Sequence, residues 1–231
     1  GNLSYRWWPE HWLVNWAPRV SYSRNYQFDW TLQEELRGAG VDFTFARNIT
    51  FTASANRDME RFLNIDFQKT RYAVGGRVAS SRRLEVGANF GRGDQIRFIA
   101  SPFLGLGTTW DVSMTMRPVS RFQSDVSLNS SHLTDPSTNT EVFDIKIVRS
   151  QATYQFSPRL LVRNIMELNT FDKTVGANLL VTYRVNAGTV FFAGYDDRFR
   201  QGDQIGPVFS TTGLLRTNRS IFTKLQYLFR L

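Results

Sequence analysis

Over residues 20–32 apolar and polar side chains alternate one by one. Val20, Tyr22, Tyr26, Phe28, Trp30 and Leu32 share one parity, broken only by Arg24, and Ser21, Ser23, Asn25, Gln27, Asp29 and Thr31 fill the other. A period of two puts these sets on opposite faces of an extended strand. The plan recurs along the chain: Val41, Phe43 and Phe45, then Ile49, Phe51, Ala53 and Ala55 across a turn at Arg47-Asn48; Tyr72, Val74 and Val78, then Leu84, Val86, Ala88 and Phe90; Trp110, Val112, Met114 and Met116, then Phe122, Val126 and Leu128. It reaches the end of the sequence, where Ile221, Leu225, Tyr227, Phe229 and Leu231 alternate with Lys224, Gln226 and Arg230.

The pattern predicts about twelve antiparallel strands, over residues 19–35, 39–46, 49–57, 64–80, 83–94, 105–117, 121–130, 141–156, 159–170, 175–185, 188–197 and 217–231. Apolar parity flips midway in two of them, between Phe67 and Tyr72 and between Ile147 and Ala152. Short turns near 47, 81, 118, 157 and 187 alternate with longer polar connections near 57–63, 94–106, 130–141, 170–174 and 197–217. Short periplasmic turns facing longer extracellular loops are the arrangement of an outer-membrane barrel. The expected fold is therefore all-β, an antiparallel transmembrane β-barrel over 19–231, preceded by a Trp-rich segment over 1–18 that serves as anchor or plug.

A soluble β-sandwich also alternates, and composition separates the two. Aromatic residues crowd the apolar parity near strand ends, as interfacial girdles require. The polar parity is heavy in Ser, Thr, Asn, Gln and Arg rather than Lys and Glu, which suits a wet, crowded interior. No stretch reaches the roughly 18 consecutive apolar residues of a membrane helix. The 231 residues include no cysteine, so disulfides and thiolate-held metals are excluded. The net charge of +8 is spread without a basic run or helix stripe, which argues against nucleic acid as a partner. The opening GNLSYRWW lacks an apolar signal stretch, which points to a processed product or a piece of a longer chain.

The ending Tyr227-x-Phe229-x-Leu231 resembles the C-terminal signal read by the barrel-assembly machinery, with Leu where an aromatic is usual. The stretches RLLVRNIMELNTFDKTVGANLLVTYRVNAGTVFFAGYDD and TNRSIFTKLQYLFRL are similar to the C-terminal region of an uncharacterised family of bacterial outer-membrane proteins. Longer members of that family carry an N-terminal carbohydrate-binding module of the family-nine type, which this chain lacks. The resemblance spans most of 66–231. It implies a barrel in the Gram-negative outer membrane, with the lipid bilayer and the assembly machinery as partners, and specifies no activity.

The polar parity predicts lumen-lining charges at Arg71, Arg77, Glu85, Asp111, Arg117, Asp125, Arg149, Arg163, Glu167, Arg184, Lys224 and Arg230, with Asp29, Glu35 and Asp42 on the same side. Two uses fit them. They line a porin-like channel that selects small solutes by width and field, or they pair into a network that fills a structural barrel whose loops bind a partner protein or a glycan. Trp7, Trp8, Trp12 and Trp16 serve as interfacial anchor, plug or sugar-stacking platform. His11 and His132 are the two histidines; Ser130, Ser131 and Asp135 flank the second as loop neighbours, which do not make a catalytic triad or a metal site. The chain is expected to be no enzyme and to need no cofactor.

Overall fold

The computed structural model describes residues 1–9, 11–202 and 213–228. Among these, all regular structure is β: β1 (Asn2–Ser4), β2 (Leu13–Tyr26), β3 (Leu32–Phe45), β4 (Ile49–Phe62), β5 (Ile65–Val78), β6 (Leu84–Arg97), β7 (Phe103–Met116), β8 (Phe122–Asp135), β9 (Thr140–Gln155), β10 (Leu160–Asn169), β11 (Thr174–Asn186), β12 (Thr189–Gln201) and β13 (Leu214–Tyr227). They form one antiparallel sheet in chain order from β1 to β13. The order is linear: among the described residues no ladder joins β13 back to β1 or β2.

Each of the twelve expected strands has a counterpart among β2 to β13, but the connections differ. From β2 to β13 all except 202–213 are two to five residues long, so among the expected turns and loops the contrast in length is confined to that one connection. The strands run on into segments whose two faces are both polar. Arg57, Asp58 and Glu60, expected in a loop at 57–63, are paired with Thr70, Lys69 and Phe67 in the β4–β5 ladder. The hairpin closes over Leu63 and Asn64, both at positive φ (48° and 62°), the conformation that matches the twist of two-residue hairpins.

The first expected strand is displaced most. Alternation continues through Phe28 and Trp30, but the backbone reverses over 27–31. Gln27 N–H donates to the Thr31 carbonyl (2.9 Å), Trp30 N–H donates to the Gln27 carbonyl (3.0 Å), and Asp29 Oδ1 accepts from Thr31 N–H (3.0 Å). Trp30 takes φ 64°, a left-handed conformation costing a non-glycine residue about 1 kcal/mol. The reversal moves Glu35 onto the next strand and onto the apolar parity, opposite Arg24 and Met59, so Glu35 does not belong to the polar face.

The boundary expected between 18 and 19 falls inside β2. The segment before it is part of the sheet: β1 pairs with Arg19 to Ser21, and Trp7 and Trp16 exchange backbone hydrogen bonds of 3.0 and 3.1 Å.

The chain divides into two compact units. One comprises Gly1–Ser81, Glu85–Val112 and Ser130–Asp144, the other Arg82–Leu84, Ser113–Asn129 and Ile145–Leu231. In the first, the ladders align Ala39, Val41, Phe43 and Phe45 with Ala55, Ala53, Phe51 and Ile49, and the last three β4 residues named are followed across β5 by Val74, Gly76 and Val78, giving an apolar face. In the second, Val162, Val181 and Ala193 share one row, and Tyr183, Phe191 and Leu225 another. These faces are uncovered: Phe51, Tyr72, Val74, Trp110, Leu225 and Tyr227 are all exposed. Buried hydrophobic side chains among the described residues are only Ala17, Met59, Phe67, Ile96 and Leu133.

Candidate functional site

Many of the charges lie on the opposite face, where they pair between neighbouring strands. In the first unit Arg19 Nη1 binds both Asp42 oxygens (3.2 and 3.1 Å), Arg71 binds Asp58, Lys69 binds Glu60, and Arg77 Nε donates to Glu85 Oε1 (2.8 Å). Asp58 is 2% exposed in its side chain, whereas Arg71 is half exposed, so the buried carboxylate is held by a guanidinium that still reaches solvent. Glycines make room for uncharged polar side chains on the same face: a Cβ at Gly38 would stand 2.5 Å from Asn56 Oδ1 and 2.6 Å from Ser21 Oγ, and one at Gly75 would stand 2.2 Å from Asn89 Oδ1. The predicted Arg71, Arg77 and Glu85 lie within this set; Asp58 and Glu60 were missed because they sat in presumed loop, and Arg19 and Lys69 lay in expected strands without being singled out. Asp111 lies on β7, two residues from Thr109, whose Oγ1 would stand 2.7 Å from a Cβ at Gly91.

The second unit is more open on its polar face. Arg149 and Glu167 are paired across β9 and β10, with Nη1 and Oε2 3.6 Å apart. They line a cavity of about 550 Å³ together with Asn178, Asp196, Arg198 and Arg200 from β11 and β12. Arg198 Nε lies 3.4 Å from Asp196 Oδ2, which Asn218 Nδ2 also approaches at 3.3 Å, and Arg200 Nε donates to the Asp172 carbonyl at 3.2 Å. The lining includes Arg149, Arg198 and Arg200 against Glu167, Asp172 and Asp196, so the signs balance. Gly176 lies between Glu167 and Arg198 in the two ladders, and a Cβ there would meet nothing within 4 Å. Sequence reasoning found Arg149 and Glu167. Arg198 was missed since the expected strand ended at 197; Asp196 lay within it but shares the parity of Phe192, whose large apolar side chain marked that parity as the apolar one.

The other predicted charges lie outside this cavity. Arg163 faces Thr153 and Leu180, with a buried Nε that has no hydrogen-bond partner among the described residues. Arg184 lies opposite Val190 and Lys224 opposite Phe192. Asp125 accepts from Thr115 Oγ1 (2.7 Å) and Gln123 Nε2 (2.8 Å), and Arg117 Nε donates to Gln123 Oε1 (3.1 Å). Arg230, Phe229 and Leu231 lie outside the described residues, as does 203–212 of the long connection; Tyr227 ends β13 opposite Thr189.

The tryptophans pack on the apolar face. Trp7 stacks on Trp16 at 4.5 Å, Trp12 on Phe45 at 5.5 Å, and Trp16 extends the row to Phe43 at 6.4 Å. Trp7 and Trp16 thus cover one another's ring faces, while Trp8 is mostly exposed. His132 Nε2 lies 3.0 Å from Thr134 Oγ1 and its Nδ1 3.7 Å from Glu141 Oε2. Asp135 instead accepts from the Ser137 N–H and hydroxyl in the β8–β9 turn (2.8 and 2.7 Å). With Asp144, the His132 and Glu141 ligand atoms lie within 4.8 Å of one another, a mixed imidazole and carboxylate set of the kind divalent cations accept. Hairpin geometry created this grouping, and spacing along the chain did not reveal it.

No protein-family model matches the chain, and no curated protein matches it.

Proposed function

We propose that the sheet closes into a transmembrane β-barrel of the bacterial outer membrane, whose polar face lines a path for small polar or charged solutes. The observation that carries this reading is the uncovered apolar face of a sheet that buries few hydrophobic side chains. In water such a face is an aggregation hazard, whereas in lipid it is the stabilising surface. The apolar run over 49–55 covers about 20 Å of strand at roughly 3.3 Å per residue, comparable with the roughly 25 Å apolar band of outer-membrane barrels. The stacked Trp7, Trp12, Trp16 and Phe45 group lies level with Ile49 and Phe51 at one end of that run, where an aromatic girdle would sit. Affinity with the outer-membrane family suggested by the C-terminal strands, and recognition of Tyr227, Phe229 and Leu231 by the assembly machinery, belong to the same proposal.

The cavity beside Gly176 supports passage of solute: both signs of charge line it, and among the described residues no side chain fills it. A second reading rests on the first unit, where ion pairs and side chains seated over glycines occupy the polar face. A barrel filled in that way would serve as a structural or docking element instead. Single-channel recording of the chain in planar bilayers separates them. Discrete, ion-selective steps are expected for a channel; a heat-modifiable folded band without steps would favour the filled barrel.

A further inference from the structure

On the apolar face of the first unit, next to the 27–31 turn, the hydrophobic row ends in a compact charged group. Tyr22 hydroxyl and Arg24 Nε both donate to Glu35 Oε1 (2.9 and 2.7 Å), Arg37 Nη2 donates to Glu35 Oε2 (2.7 Å), and the Arg24 guanidinium lies over the Tyr22 ring at 5.5 Å. The Glu35 side chain is 12% exposed, while Arg24 and Arg37 are 43% and 61% exposed. The second unit repeats the arrangement with other residues. Tyr195 hydroxyl donates to Asp197 Oδ2 (2.7 Å), Arg216 Nε lies 2.9 Å from Oδ1 as an ion pair without hydrogen-bond alignment, Arg219 Nη2 lies 3.5 Å from Oδ2, and the two guanidiniums sit over Phe199 and Tyr195. Again the carboxylate is covered and the arginines are half exposed.

One carboxylate neutralises one of the two guanidiniums, so each group keeps a positive charge, and Arg57 stands directly across from Arg37 in the β3–β4 ladder to add another. Each guanidinium has five N–H donors, and a single carboxylate occupies few of them. The covered carboxylate and the aromatic ring fix the planes of the arginines, which lowers the entropy lost when they bind an anion. Position then selects the anion. Tyr22 and Arg37 are one alternation step beyond Val20 and Ala39, the end of the apolar row on the same face. If that row meets lipid acyl chains, the guanidiniums stand at the headgroups, and arginine's planar fork suits phosphate.

We propose that the Arg24–Glu35–Arg37 group, with Arg216–Asp197–Arg219 as its counterpart, binds the phosphate of an anionic lipid headgroup. The inference rests on the barrel reading above, and the experiment separates the two. The chain is folded into phosphatidylcholine vesicles with and without phosphatidylglycerol, and its unfolding temperature is compared with that of Arg24→Gln/Arg37→Gln, of Arg216→Gln/Arg219→Gln and of a control of equal charge loss in distant turns, Arg82→Gln/Arg121→Gln. Anionic lipid should raise the unfolding temperature of the native chain and the control, and each headgroup variant should lose a large part of that gain. An equal gain in all four proteins, or no gain in the native chain folded in neutral vesicles, would overturn the lipid site while leaving the barrel intact. Failure of the native chain to insert in either vesicle would overturn both.

Discussion

Glu167 and Arg198 share the polar face with a glycine between them: Gly176 is the ladder partner of both. Two long side chains of opposite charge therefore flank an open seat, and the nearby cavity exists because nothing grows from the strand between them. Gly176→Phe should fill that seat, since among the described residues no atom lies within 4 Å of the added Cβ and Gly176 is not among the positive-φ glycines. Stability should change by less than about 1 kcal/mol, whereas single-channel conductance should fall several-fold; unchanged conductance would place the path elsewhere.

The Arg71–Asp58 pair is asymmetric, with the carboxylate covered and the guanidinium half exposed. Removing the carboxylate leaves a cation that water can still reach, so the loss should sit below the 3–5 kcal/mol of a fully buried broken pair. Asp58→Ala should lower stability by about 2 kcal/mol, read as a shift in the urea midpoint of the folded protein. Arg19→Ala, in an exposed pair with Asp42, should cost about 0.5 kcal/mol.

Asp29 gives the 27–31 turn an acid dependence. The Thr31 backbone N–H holds its carboxyl below the usual carboxylate range. A depressed folded-state value means that its contribution is complete above the ordinary carboxylate pKa of about 3.9 and is lost as pH falls through the lowered value. Asp29→Asn should therefore remove part of the acid sensitivity of turn protection, measured by amide exchange of Thr31 between neutral and acidic pH. An unaltered pH profile would show that the carboxyl plays no part in closing the turn.

The two faces of β5 should respond oppositely to charge. Val74 lies in the apolar row opposite Ala53 and Phe90. In lipid, Val74→Arg should cost about 2–4 kcal/mol near the midplane and reduce the folded fraction recovered in vesicles. The same change at Ala73, on the polar face, should be tolerated far better.

Much of this architecture is legible in the sequence because period-two alternation is a direct consequence of strand geometry. The apolar face that carries Val74, Phe51 and Phe43 and the turn at Arg47 and Asn48 are legible from parity and turn residues alone. The method fails where alternation and chain direction part company. Phe28 and Trp30 keep the rhythm while the backbone reverses beneath them, since turn residues also alternate by chance and the local hydrogen bonds of Asp29 decide the matter. It fails again where a strand leaves its apolar row: Arg57, Asp58 and Glu60 look like loop because neither face is greasy, yet ladder partners on β5 hold them. The parity flip at Phe67 has the same origin, as its side chain is buried on the polar face beside the Glu60 position. The candidate site was half legible for a related reason. Arg149 and Glu167 follow from parity alone, but their meeting with Asp196 and Arg198 around one cavity depends on register, which a single sequence leaves open.

The absence of cysteine from the sequence makes the central claim directly measurable. Val74→Cys and Ala73→Cys, each spin-labelled after folding into phosphatidylcholine vesicles, compare collisions with oxygen, which partitions into lipid, against a water-soluble nickel chelate. A bilayer-facing apolar row and a water-facing polar row predict high oxygen and low chelate access at 74, with the reverse at 73. Equal access to chelate at both positions would contradict a membrane-spanning barrel with a polar interior.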